Sequence, residues 1–153
     1  MEVDGYLRIK IEPNSDGTGK LTVEVASDGF GGRGEAYFDL LRVGNFAQQL
    51  QAFPLSQERP PFIEGGFWSK EQRGVLEQIH LSIQAYQIGN RGQVGLRVKC
   101  ADPPLWPNDR QESQNQALVE VVTTYAALER FGKDLELLVA SGLEEAVLNG
   151  LRF

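Results

Sequence analysis

Three stretches near the start of the chain change sides residue by residue. Tyr6-Leu7-Arg8-Ile9-Lys10-Ile11 alternates apolar and charged side chains, Leu21-Thr22-Val23-Glu24-Val25 alternates again, and Gly34-Glu35-Ala36-Tyr37-Phe38 continues the pattern. A period of two sends neighbouring side chains to opposite faces of a half-buried strand, so three strands are expected here. Pro13-Asn14-Ser15-Asp16-Gly17 supplies turn chemistry after the first, and a glycine-rich turn ending at Gly34 separates the second from the third. The period then changes. Val43, Phe46, Ala47, Leu50 and Phe53 fall on one stripe of a helix, with Asp39 as its N-cap and Pro54 as its stop.

The second half follows the same order. Ile79, Leu81 and Ile83 alternate with His80 and Ser82, and Gly89-Asn90-Arg91-Gly92 turns the chain into Val94-Gly95-Leu96-Arg97-Val98. At an offset of 73 residues this strand lies over the second strand of the first half. At an offset of 85, Glu120 overlies Glu35, Thr124 overlies Asp39, and Leu128, Phe131, Leu135 and Leu138 overlie Val43, Phe46, Leu50 and Phe53. The difference places an insertion of 12 residues in the second half, around Ala101-Asp102-Pro103-Pro104-Leu105-Trp106-Pro107.

These patterns predict a single α+β domain over 1–153, with an antiparallel sheet of about six strands built from a tandem βββα pseudo-repeat. The halves run over about 5–54 and 75–140; the linker 55–74 adds a short strand at Phe67-Trp68. Two main helices cover one face of the sheet. Ser141 with Glu144 reads as a capping box that opens a short C-terminal helix through Leu148. The uncovered face then carries Arg8, Lys10, Glu24, Glu35, Tyr37, His80, Gln84, Tyr86, Arg97 and Glu120, a polar surface of mixed charge.

Composition narrows the class. A chain of 153 residues buries roughly 70% of its unfolded surface, enough for a core without staples. Its 41% hydrophobic and 24% charged residues exclude disordered and fibrous classes. With 21 acidic and 15 basic residues the net charge is -6, which opposes binding to phosphate backbones, so no nucleic-acid partner is expected. Residues 112–149 hold seven acidic and two basic side chains, which reads either as an acidic face for a basic partner or as a solvated helix surface. The single cysteine, Cys100, forms no intrachain disulfide and suits a reducing compartment. Met1-Glu2-Val3-Asp4-Gly5 is followed by no apolar run of signal-peptide or membrane-span length, so a cytoplasmic location without membrane association is expected.

Candidate chemistry is sparse. Gly29-Phe30-Gly31-Gly32-Arg33-Gly34 has the spacing of a dinucleotide-binding loop but leads into a strand, where that chemistry needs a helix start. It reads as a turn. His80, the sole histidine, falls on the polar face as a solvated strand residue with no nucleophile at diagnostic spacing. Cys100 continues the inward alternation of Val94, Leu96 and Val98 as a buried thiol. One histidine and one cysteine supply no zinc set, and the acids show no calcium-loop spacing, so neither a metal nor a cofactor is expected. Glu35 and Glu120 are two carboxylates in related positions, suited either to acid–base work or to exposed pairing with Arg8, Lys10 or Arg97. In the 101–116 loop, Leu105 and Trp106 sit among three prolines, and the tryptophan reads as a partner anchor or as a cap on the sheet.

Asp28-Gly29-Phe30-Gly31-Gly32, then Asp39 with Phe46 and Leu50, then Gly92-Gln93-Val94 and a closing helix, resembles small bacterial domains of unknown function, some of them similar to immunity proteins of wall-associated polymorphic toxins. The resemblance implies an acidic, non-enzymatic cytosolic protein that binds a partner such as a basic toxin domain, and it carries over no catalytic residues. The expected function is therefore a protein-binding module using Leu105, Trp106, Tyr37, His80, Tyr86, Glu35, Glu120 and Arg97. Two alternatives stay open: a small-molecule-binding or hydrolytic domain with a pocket near His80, Tyr86 and Glu120, and a structural homodimer.

Overall fold

The computed structural model describes residues 2–103 and 115–153. The alternating stretches form β1 (Glu2–Pro13), β2 (Thr18–Ser27) and β3 (Phe30–Asp39), and the helical stripe forms α1 (Leu40–Gln49), which ends before the expected stop at Pro54 and leaves Phe53 outside it, 79% exposed. There follow β4 (Phe62–Trp68), β5 (Leu76–Ile88), β6 (Gln93–Ala101), β7 (Gln116–Thr124), α2 (Tyr125–Val139) and β8 (Ala146–Arg152). The fold is α+β and its sheets are antiparallel, but the expected sheet of about six strands is corrected. Among the described residues, the strands form two four-stranded sheets, in the order β3-β2-β1-β8 and β4-β5-β6-β7.

The two strands that overturn the single sheet come from segments read otherwise. Inside the expected linker, Ile63 and Gly65 point inward from β4, a strand longer than Phe67-Trp68. The short C-terminal helix does not form. Ser141, its supposed cap, has φ 62 and ends α2 instead, while Gly142 N donates to Leu137 O at 2.7 Å, a left-handed stop of the Schellman kind. Ala146, Leu148 and Gly150 then alternate inward along β8, which pairs with β1. The first sheet thus takes its fourth strand from the C-terminal end of the chain, and the second takes its fourth, β4, from the segment just before β5.

The register also departs from the offset read along the chain. Glu35 pairs with Thr22, and Glu120 pairs with Arg97, so Thr22 and not Glu24 stands in the place corresponding to Arg97. The turn before β3 is shorter than expected: only Asp28 (φ 51) and Gly29 (φ 83) lie between the paired residues Ser27 and Phe30. Two left-handed residues match the twist of a tight hairpin. The glycines that follow belong to β3, which crosses the second sheet. Cβ atoms added at Gly32 and Gly34 would lie 2.6 Å from Ala117 Cβ and 3.0 Å from the His80 carbonyl oxygen, so bare backbone is what brings the sheets together.

β7 in turn packs across the strands of the first sheet, and α1 and α2 pack on each other. Leu7, Val23, Phe46, Ile83, Leu96 and Phe131 belong to one buried cluster, so the two sheets and both helices share one interior. Asp39 and Thr124 are the helix caps: Asp39 Oδ1 accepts from Leu41 N at 2.9 Å, and Thr124 Oγ1 accepts from Ala127 N at 3.2 Å. Outward positions such as Glu35 and Tyr37 on β3 and Leu118 and Glu120 on β7 are exposed to solvent, and no helix among the described residues is long and apolar enough to cross a membrane.

Candidate partner-binding surface

The residues expected on one polar face divide between two surfaces. On the outer face of the second sheet, Tyr86 from β5, Arg97 from β6 and Glu120 from β7 come together. Gly95 stands directly opposite Tyr86, and a Cβ there would lie 2.6 Å from the phenol ring, so the ring lies across the bare glycine and reaches the next strand. Its hydroxyl donates to Glu120 Oε2. The Arg97 guanidinium sits 4.9 Å from the Tyr86 ring centroid and 3.7 Å from the same Glu120 oxygen. Burial, and then the hydrogen bond to Glu120, push the Tyr86 phenol well above its usual pKa. The three side chains hold one another in place.

Glu120 also borders a groove of about 370 Å³ between β7 and the end of the first sheet. Leu118 and Val122 line it from β7, Phe30 and Asp28 from the β2–β3 hairpin, and Asp4 and Leu151 from β1 and β8. Leu118 is 63% exposed and Phe30 70%, large apolar groups left in water beside an ordered tyrosine and arginine. Leu118 had a signal in the sequence, being an apolar residue out of phase with Val119 and Val121. Phe30 had none, because it was read as part of a turn.

The first sheet holds the other group. Tyr37 and Glu35 face outward on β3, and Lys20 lies 3.4 Å from Glu12 and 3.8 Å from Glu35. Glu12 first, then Glu35, raise the Lys20 ammonium above its ordinary pKa. Glu35 and Glu120 therefore do not form a carboxylate pair; each has its own cations on its own sheet. Beside them, Arg8 lies 3.2 Å from Glu24 and 3.3 Å from Glu145, an ion-pair network across that face.

His80 is corrected from a solvated to a buried residue, 4% exposed. It is the unpaired residue of a bulge in β5, between Leu81 and Ile79, which pair with Gly65 and Gly66; the Phe67 ring packs edge-on at 4.4 Å, and Nε2 is 2.9 Å from Gln78 Oε1. It shares a small cavity of about 160 Å³ with Glu35, Tyr37, Phe67 and Pro103. Tyr86 lies six residues farther along the same strand, roughly 20 Å at strand rise. His80, Tyr86 and Glu120 thus do not line one pocket. Cys100 is buried and its thiol pushed up to about 11 by desolvation. Leu105 and Trp106 lie outside the described residues. Among those described, no cluster of histidine, cysteine and acidic side chains is arranged to hold a metal ion. Comparison with family models, curated proteins and solved structures finds no match to the chain.

Proposed function

We propose that this chain is a protein-binding module, without catalytic activity of its own, that covers a partner with the outer face of its second sheet. The carrying observation is the ordered Tyr86–Arg97–Glu120 cluster beside a groove in which Phe30 and Leu118 are exposed. Tyrosine and arginine are, with tryptophan, enriched among interface anchors, and side chains already held by neighbours lose little freedom on association. The groove's apolar groups would supply the water-excluding part of the contact. In keeping with the immunity-protein resemblance and the net charge of -6, we take the partner to be a basic toxin domain met in the cytoplasm. We also take the two runs of three strands, helix and strand as copies of one unit, supported by the matched caps Asp39 and Thr124.

The test is co-expression with the C-terminal domain encoded by the gene immediately upstream. Co-purification is expected, and Tyr86→Ala combined with Leu118→Asp should weaken the complex about tenfold or more without altering the far-ultraviolet circular dichroism. Failure of the two proteins to associate, or an affinity indifferent to both substitutions, removes this reading.

A further inference from the structure

Each helix carries a glycine in its interior, where glycine is less stable than alanine. Gly132 has an internal reason, because a Cβ there would lie 2.7 Å from Ala47 O and 2.8 Å from Gln51 Cγ; α2 needs the bare backbone to approach α1. Gly44 has no such reason. A Cβ placed on it meets nothing within 4 Å. It forms part of the floor of a groove of about 520 Å³ between α1 and the C-terminal part of α2, with Leu40, Leu41 and Val139 as apolar walls. Leu41 is 73% exposed. The charged residues at the groove are Asp39 and Glu136, and among the described residues no lysine or arginine lines it. Arg42, next in sequence, is turned away to donate to the Glu64 carbonyl.

We infer that this groove docks a helical segment of a partner protein that presents leucine-sized side chains flanked by lysine or arginine. Bare backbone at Gly44 lets a helix come closer than any side chain would allow. Leu40, Leu41 and Val139 take its apolar face, and Asp39 and Glu136 meet its cations, the usual helix-in-groove division of labour. A second copy of this chain fits worse, since apposing the groove with itself sets the same carboxylates against one another. None of these residues belongs to the Tyr86 surface, so the two proposals stand or fall separately.

The probe is an amphipathic leucine–lysine peptide of about five helical turns, compared with its leucine–glutamate counterpart. Added to the isotopically labelled full chain, the lysine peptide should saturably shift the amides of Leu41, Gly44, Gln48 and Val139, and the glutamate peptide should not. Gly44→Leu and Leu41→Lys should each weaken binding about tenfold or more. Gly44→Ala should raise the melting temperature of the free chain while weakening the peptide complex. The proposal is overturned by shifts centred elsewhere, by equal binding of both peptides, or by Gly44→Leu binding as well as the parent. It is equally overturned if Gly44→Ala lowers the melting temperature, or if sedimentation shows a dimer formed through these residues.

Discussion

His80 occupies an outward phase of its strand and is nevertheless buried, because it is the bulged residue of β5 opposite Gly65 and Gly66 and the Phe67 ring packs on it. Burial holds its pKa below 6.5, opposed by the Asp102 carboxylate. Above that value the imidazole is neutral in folded and unfolded chains alike. As pH falls through it, the unfolded chain takes up a proton that the folded one resists, so stability is lost. Urea midpoints should therefore drop between about pH 7.5 and about pH 5.5, and His80→Gln should flatten that slope whatever its own offset. A slope unchanged in the variant would contradict the burial. Asp16 and Asp102, held below 3.8 chiefly by hydrogen bonds from Thr18 and Asn115, act in a separate, more acid window. Glycines divide at the same scale. A Cβ on Gly66 would lie 2.0 Å from the Gln78 carbonyl oxygen, so Gly66→Ala should cost about 1–3 kcal/mol in chemical denaturation. The opposite sign is expected at Gly44.

Among the elements, the helices were the most legible. Val43, Phe46 and Ala47, and Leu128, Phe131, Leu135 and Leu138, are buried along their stripes, and the caps stand where side-chain chemistry put them. Thr124→Ala leaves the Ala127 amide without its acceptor and should cost about 1 kcal/mol, read from the shift in urea midpoint. No change would mean that water replaces the hydroxyl at no cost. The segment after α2 misled for a definite reason. Ser141-Gly142-Leu143-Glu144 carries the residue types of a helix start, but a serine in the left-handed region followed by glycine also ends a helix, and local chemistry does not choose between them. The edge of β1 decided the matter by offering Ala146–Arg152 an antiparallel ladder, interrupted by one bulge between Val3 and Tyr6.

At the scale of the molecule, both helices and both sheets share one buried cluster. Phe46→Ala and Phe131→Ala should each cost about 3–5 kcal/mol and lower one common unfolding transition. Two transitions, each sensitive to only one substitution, would show separate cores. The period of two, the helical stripes, the caps and the inward thiol of Cys100 were determined by the sequence alone, because each depends on residues within a few positions of one another. The division into two crossing sheets, the burial of His80, and the meeting of Tyr86, Arg97 and Glu120 around Gly95 were decided only by the tertiary structure. Those depend on which distant backbone comes close enough to pair or to cross, and alternation is the same whether a strand joins its own half's sheet or the other's.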